Sequence, residues 1–355
     1  MRVLVEILHP AHVHFFRNAI LEWQARGDEV LILSREKDVA NQLLDAYGIP
    51  YVSISRLGSS KLSLLGEMVV RDVRMLEQAL SFEPDVLVGI MGVTIVQVGR
   101  VIGKPAIVFY DTENAKVTNA FVYPLAHSVC TPECYQAPVR GRHVTYPGYH
   151  ELAYLHPKRF APSRDIVRRG GVDPDEPYFI VRFVSWQASH DVGEAGFDLE
   201  QKRDMVAELA RHGRVLISSE SALPEDLEPL RFSAPVQEMH HFIAFARMLV
   251  GESATMASEA AVLGVPAFYI ADTGRGYTDE EERLYGLVWN FKRRDAGQAL
   301  EKIRELLARP TLSADMAAAR ARLLRERIDV TEWLVRYVDG VAGPPGPAGA
   351  VPPAP

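Results

Sequence analysis

Short apolar runs alternate along the first half of the chain with stretches of helical periodicity, the pattern of βα units around a mainly parallel sheet. Residues 3–8 (VLVEIL) read as a buried strand. The loop His9-Pro10-Ala11-His12 follows, then a helix with Phe15, Phe16, Ala19, Ile20 and Trp23 on one face, ended by Gly27. Residues 29–34 (EVLILS), 84–90 (PDVLVGI) and 104–110 (KPAIVFY) predict further strands. Between them, residues 61–80 place Leu62, Leu65, Val69, Val73, Leu76 and Leu80 on one helical face. A helix covering a sheet needs that stripe; peripheral contact with a membrane surface through Lys61, Arg71 and Arg74 is the other use for it.

Across residues 147–176 the pattern gives way to a stretch rich in Pro, Gly and charge, and the alternation then restarts at 178–184 (YFIVRFV), 214–219 (RVLISS), 247–251 (RMLVG) and 266–270 (PAFYI). The expectation is an α/β protein of two Rossmann-like doubly wound domains, 1–150 and 177–312, joined by a linker over 151–176. An Ala-, Arg- and Leu-rich run over 313–340 predicts C-terminal helices packing back across both domains. The tail 341–355, rich in Pro and Gly without a sustained Gly-X-Y repeat, predicts disorder.

Composition narrows the function classes. Of 355 residues, 48% are hydrophobic and 24% charged, enough for two cores, and the net charge of -7 provides no global field for nucleic acid. Two cysteines, Cys130 and Cys134, make neither a disulfide framework nor a complete zinc site. The N-terminus lacks a signal-peptide pattern and no apolar run reaches spanning length, so a cytoplasmic protein, at most peripheral to the inner face of a membrane, is expected.

Four stretches carry candidate chemistry. In GESATMASEAAVLGVPAF (251–268), Ser253, Ala254, Thr255 and Met256 stand where a strand turns into a helix, and such a turn offers unpaired amides and a helix dipole to a phosphate. Glu259 lies about one helical turn further on, placed to accept from the two hydroxyls of a ribose. The plainer alternative is a helix capped by Ser253 with Glu259 solvated. At the end of the first strand, His12 is a candidate general base or charge neutraliser; His9 and His14 crowd the same turn, but carboxylates with ligand spacing are missing and no metal is expected. Asp111, Glu113 and Asn114 follow the strand ending at Tyr110, either as a pair of working carboxylates with an amide or as a capping box with Asp111 as N-cap. FVSWQASHDVGEAGF (183–197) contains Ser189 and His190, and Arg182 lies just before it.

The 251–268 block resembles the GT-B superfamily, in which a Ser/Gly turn and a helical Glu bind the nucleotide diphosphate and ribose. HPAHVHFF, DTENAK, FVSWQASHD and ESATMASEAAVLG are similar to a microbial domain family of unknown function. That family is related to the N-acetylglucosaminyltransferase that completes lipid II and to the non-hydrolysing UDP-N-acetylglucosamine 2-epimerases, and the likeness covers residues 1–338. His12 matches the histidine of the transferase's first loop, with Pro10 and Ala11 in place of its glycines. His190 matches a phosphate-contacting histidine of the epimerases.

The resemblance implies two domains facing across a cleft. A nucleotide-sugar donor, UDP-linked, would be held by Arg182, Ser189, His190, Ser253, Ala254, Thr255, Met256 and Glu259. His12, Asp111 and Glu113 would act on a sugar or lipid-linked acceptor, with Asn114 beside them. GT-B folds place helix dipoles and basic groups at the leaving diphosphate, so no cofactor is expected. The implied activity is glycosyl transfer in glycan or cell-envelope biosynthesis. A UDP-sugar 2-epimerase using Asp111 or Glu113 with His190 is the rival enzyme, and a nucleotide-sugar sensor the non-enzymatic alternative.

Overall fold

The computed structural model describes residues 1–36, 39–56, 61–184 and 197–343. The chain divides into two compact units. The first runs from Met1 to Tyr154 and takes in the chain again from Ile328; the second is Leu155–Arg327. Residues 151–176, expected as a linker, carry the short helix Arg164–Arg169, N-capped by Ser163.

In the first unit β1 (Arg2–Ile7), β2 (Glu29–Glu36), β3 (Val52–Arg56), β4 (Val86–Ile90), β5 (Ala106–Phe109), β6 (Ser128–Pro132) and β7 (His143–Tyr146) form one sheet in the order β3-β2-β1-β4-β5-β6-β7. Every pairing is parallel. Parallel neighbours require crossovers, which bury both sheet faces, and the central runs are accordingly continuous rather than alternating: all five residues of β4 are buried. The chain builds outward from β1 to β3 and then returns to lay β4 on the other side of β1, so the strand order reverses between β1 and β4. Ligands of open α/β sheets bind at the carboxyl ends of strands flanking such a reversal.

The helix after β1 begins earlier than the sequence suggests, at Pro10, and runs to Ala25. Proline fits the first helical position because its missing N–H has no helical partner there, and His9 caps the helix by accepting from the Ala11 amide through Nδ1 at 3.2 Å. His12 therefore stands in the first helical turn rather than in a loop. The long helix is Lys61–Phe82. Arg71, assigned above to a membrane-facing set, is instead buried, donating from Nε to Thr94 Oγ1 at 2.8 Å and pairing with Glu67 at 3.4 Å. Arg74 donates to the carbonyl of Ile54 at 2.9 Å. Two of the three cations of the membrane reading thus hold the helix onto its own unit.

The second unit has β8 (Tyr178–Phe183), β9 (Arg214–Ser219), β10 (Met248–Gly251), β11 (Ala267–Ile270) and β12 (Val288–Phe291), all parallel, in the order β12-β11-β10-β8-β9. Its reversal falls between β8 and β10. These two strands approach so closely that a Cβ on Gly251 would stand 2.3 Å from the carbonyl oxygen of Arg182, which explains a glycine at the last position of β10.

The C-terminal helices divide between the units. Leu312–Glu326 belongs to the second, where Arg320 Nε donates to the carbonyl of Val262 at 2.9 Å. Val330–Ala342 returns to the first, where Thr331 Oγ1 donates to the carbonyl of Ala153 at 2.6 Å. The expected disordered tail falls mainly on residues 344–355, outside the described residues.

Candidate functional site

The first unit gathers its candidate groups at the carboxyl ends of three neighbouring strands, β1, β4 and β5. After β1 comes His12, 7% exposed. Its Nδ1 accepts from the Leu8 amide at 3.3 Å, so the neutral ring carries its proton on Nε2 and offers a donor there rather than a base. After β4 come two successive residues in the left-handed region, Met91 (φ 62°) and Gly92 (φ 56°). Glycine adopts this freely; methionine does so at a cost, a kind of strain that concentrates at functional sites. The Tyr110 hydroxyl holds the Met91 carbonyl at 2.8 Å.

After β5 comes Asp111. It is not the N-cap of the next helix, which spans Lys116–Val122 and is capped at Ala115. Its Oδ2 lies 3.1 Å from Nδ1 of His150, while Thr112 donates to its Oδ1 at 3.0 Å. His150 is 6% exposed, with its ring 4.4 Å from that of Phe15 on the His12 helix. With Nδ1–H donating to Asp111, the Nε2 lone pair is left available, and Nε2 is buried with no hydrogen-bond partner among the described residues. A carboxylate placed in this way fixes the tautomer of the ring and can stabilise an imidazolium, an arrangement suited to acid–base chemistry. Glu113 Oε1 accepts from the Gln136 amide at 3.5 Å, and Asn114 Oδ1 is buried without a partner among the described residues. Nothing local in the sequence announces His150 as a partner 39 positions from Asp111.

The second unit's groups stand at the carboxyl ends of β8 and β10. Ser253 is the N-cap of the helix Ala254–Leu263, its Oγ accepting from the Met256 amide at 3.3 Å. The amides of Ala254 and Thr255 precede the helical ladder and have no acceptor within it. Glu259 is buried, 5% exposed, with Oε1 2.9 Å from Nε2 of His240, so the solvated carboxylate of the plainer reading is corrected. Arg182 donates to Ser218 Oγ at 2.9 Å and pairs with Glu220, so its charge is already matched. Ser189 and His190 lie outside the described residues.

Glu252, unremarked in the sequence, is 2% exposed and accepts from the Val184 amide at 2.8 Å and from the Phe197 amide, while its own amide donates to the Arg182 carbonyl at 3.0 Å. Its carboxylate thus joins the end of β8 to Phe197, the residue before the N-cap Asp198 of the helix Leu199–Ala210. The signal for it was an acid placed directly between a buried strand and an N-cap.

Ser253 serves as cap and as candidate ligand, and two substitutions separate the roles. Ser253→Ala is expected to lower stability by about 1 kcal/mol and Ser253→Gly by only a few tenths, read as shifts of the urea midpoint. If the serine is also a phosphate ligand, the glycine variant keeps the midpoint and loses nucleotide affinity; retained affinity would leave Ser253 as a cap alone.

Among the described residues no group of three or more His, Cys, Asp or Glu is placed to hold a metal ion, and no helix is long and apolar enough to cross a membrane.

Residues 1–144 match a family model described as a protein of unknown function, DUF354. An uncharacterised protein of Methanocaldococcus jannaschii is 23% identical over 188 residues, 51% of this chain and 55% of that protein, so the chain matches about half the length of this curated relative. The UDP-GlcNAc 2-epimerase of Neisseria meningitidis, solved with UDP-GlcNAc bound, superposes with a TM-score of 0.66 at 12% identity, over 95% of this chain and 99% of its own. MnaA of S. aureus, solved with UDP, gives 0.68 at 12% over 95% and 96%, and MurG of Acinetobacter baumannii 0.58 at 15% over 96% and 99%. The chain thus has the α/β fold of the GT-B glycosyltransferases and the UDP-GlcNAc 2-epimerases.

Proposed function

We propose that the protein is an enzyme acting on a nucleotide-sugar, and that it transfers the sugar from a UDP-sugar to a hydroxyl of a glycan or lipid-linked acceptor in cell-envelope biosynthesis. The observation that carries this reading is the Ser253 turn. It opens a helix beside the strand reversal of the second sheet, and a carboxylate, Glu259, follows one turn later in the same helix. The amides of Ala254 and Thr255 and the helix dipole suit a diphosphate, the Met256 amide being taken by Ser253 Oγ, and the carboxylate suits a ribose diol.

In the transfer, His150 Nε2 takes the proton of the acceptor hydroxyl, and Asp111 stabilises the imidazolium that forms. The acceptor oxygen bonds to the anomeric carbon as the bond from that carbon to the diphosphate breaks. The leaving charge falls on the diphosphate, where the helix start receives it without a metal. His12, with its proton on Nε2, donates to an oxygen of the substrate, and Glu113 and Asn114 orient the acceptor.

A second reading is a 2-epimerase. The observation favouring it is the contact of Asp111 with His150, with a second carboxylate, Glu113, two residues on in the same loop, since elimination and re-addition of UDP require acid and base at one sugar and no acceptor. One experiment separates the readings: incubate the protein with UDP-, GDP- and TDP-sugars, with and without cell extract, and follow free nucleotide and sugar configuration. Transfer predicts UDP release that depends on extract. An epimer formed without extract would replace transfer with epimerisation, binding without turnover would leave a sensor, and the absence of any melting-temperature shift would end the nucleotide-sugar reading.

A further inference from the structure

His240 and Glu259 form a buried pair between two helices of the second unit. His240 stands on the helix Met239–Phe245 and Glu259 on the helix Ala254–Leu263, each 5% exposed, with Nε2 2.9 Å from Oε1. The imidazole is itself held: Phe160 meets its ring nearly edge-on, at 6.2 Å and 82°. The next residue, His241, fixes the same segment from the other side, lying 4.8 Å from the Phe160 ring and accepting from the Ser163 amide through Nδ1 at 3.1 Å. A segment of the second unit thus braces a histidine whose donor is aimed at one oxygen of one carboxylate.

Removing two ionisable groups from water is costly, and a buried pair of this kind is a weak source of stability. A carboxylate rotates freely about its last bond unless one oxygen is committed. With Oε1 committed to Nε2–H, the direction of Oε2 is set, and a ligand presenting two adjacent hydroxyls meets acceptor lone pairs in a fixed plane.

We propose that His240 is a positioning residue that orients Glu259 and thereby sets the preference of this site for a ribonucleotide over a 2′-deoxyribonucleotide. The proposal rests on the nucleotide reading above and adds to it the residue that confers sugar discrimination on the nucleoside.

The test is titration of the full chain with UDP and with 2′-deoxy-UDP for wild type, His240→Ala and His240→Gln. Wild type is expected to favour UDP by at least about tenfold, the range of one hydrogen bond to a charged group. His240→Ala lowers that ratio below about threefold with little change in the affinity for 2′-deoxy-UDP. His240→Gln, whose amide N–H can reach the same oxygen, restores most of the ratio. A merely structural role would weaken both ligands alike and leave the ratio unchanged, which would overturn the proposal. Loss of the ratio in the glutamine variant would do the same, and this variant decides the matter if the alanine variant does not fold. Wild type that binds UDP without preferring it also sinks the proposal while the nucleotide reading stands; wild type that binds neither ligand removes that reading first.

Discussion

Asp111→Asn is expected to lower kcat for sugar transfer about a thousandfold and to leave the Kd for UDP within about twofold. The two measurements respond to different parts of the chain. UDP is assigned to the Ser253 turn and Glu259 in the second unit, whereas Asp111 stands after β5 in the first, 3.1 Å from Nδ1 of His150. Asparagine keeps the size of the side chain but removes the charge that favours an imidazolium, and its amide nitrogen, if turned toward the ring, imposes the wrong tautomer. His150→Phe should give a similar loss while preserving the ring packing against Phe15, since the phenyl group retains the contact and lacks Nε2. Measurement of kcat at saturating donor, beside a UDP titration and a urea midpoint, checks the claim. An unchanged kcat in both variants would reduce the pair to a structural ion pair, and parallel losses of kcat and UDP affinity would place Asp111 in donor binding instead.

The central strands were legible because their residues are largely apolar. β1, β4, β8 and β10 all have neighbours on both sides, and their buried runs admit few other readings. β3, β7 and β12 are edge strands with partly exposed residues, and a stretch such as HVTY in β7 carries too few buried positions to stand out. β6 is entirely buried yet composed of Ser, Val, Cys, Thr and Pro, so composition hides what position supplies.

The functional groups follow the same division. Ser253 and the helix behind it could be read locally, because a cap is a matter of neighbours in sequence. Partnerships could not. His240 and His241 look alike in sequence, but one faces Glu259 and the other the Ser163 amide, a distinction set by which side of a two-turn helix meets the helix Ala254–Leu263. The three cations of the long helix looked equally available, until Thr94 and Glu67 took Arg71 and the Ile54 carbonyl took Arg74. Glu6 on β1 shows the limit most plainly. It occupies one position in an apolar strand, is 1% exposed, and burial pushes its carboxyl up to about 7 against the opposing pull of Arg71. Alternation along the strand does not foretell a carboxylic acid there.

Glu281→Gln is expected to make the protein more stable above about pH 8, by on the order of 5 kcal/mol, and to leave stability below pH 4.5 nearly unchanged. Glu281 lies in a turn of π-helix, Glu281–Tyr285, and is fully buried; its Oε1 accepts from Ser258 Oγ at 2.7 Å, and Oε2 has no hydrogen-bond partner among the described residues. Burial pushes its carboxyl from 4.5 up to about 8, with the nearby Glu280 adding to the rise and the Ser258 hydroxyl opposing it. The sign follows from proton counts. Between pH 4.5 and 8 the folded chain keeps this proton and the unfolded chain has lost it, so the folded state binds more protons and its stability falls as pH rises, by about 1.4 kcal/mol per unit. Above pH 8 both states are ionised and the loss is complete. Glutamine stays neutral at every pH, and its amide oxygen can still accept from Ser258. The difference in unfolding free energy, variant minus wild type, should therefore climb from pH 4.5 and level off near pH 8; urea midpoints at pH 5, 7 and 9 trace that rise. A difference that is flat across the range would mean that Glu281 is already ionised in the folded protein, and that its second oxygen has found a donor strong enough to compensate for burial.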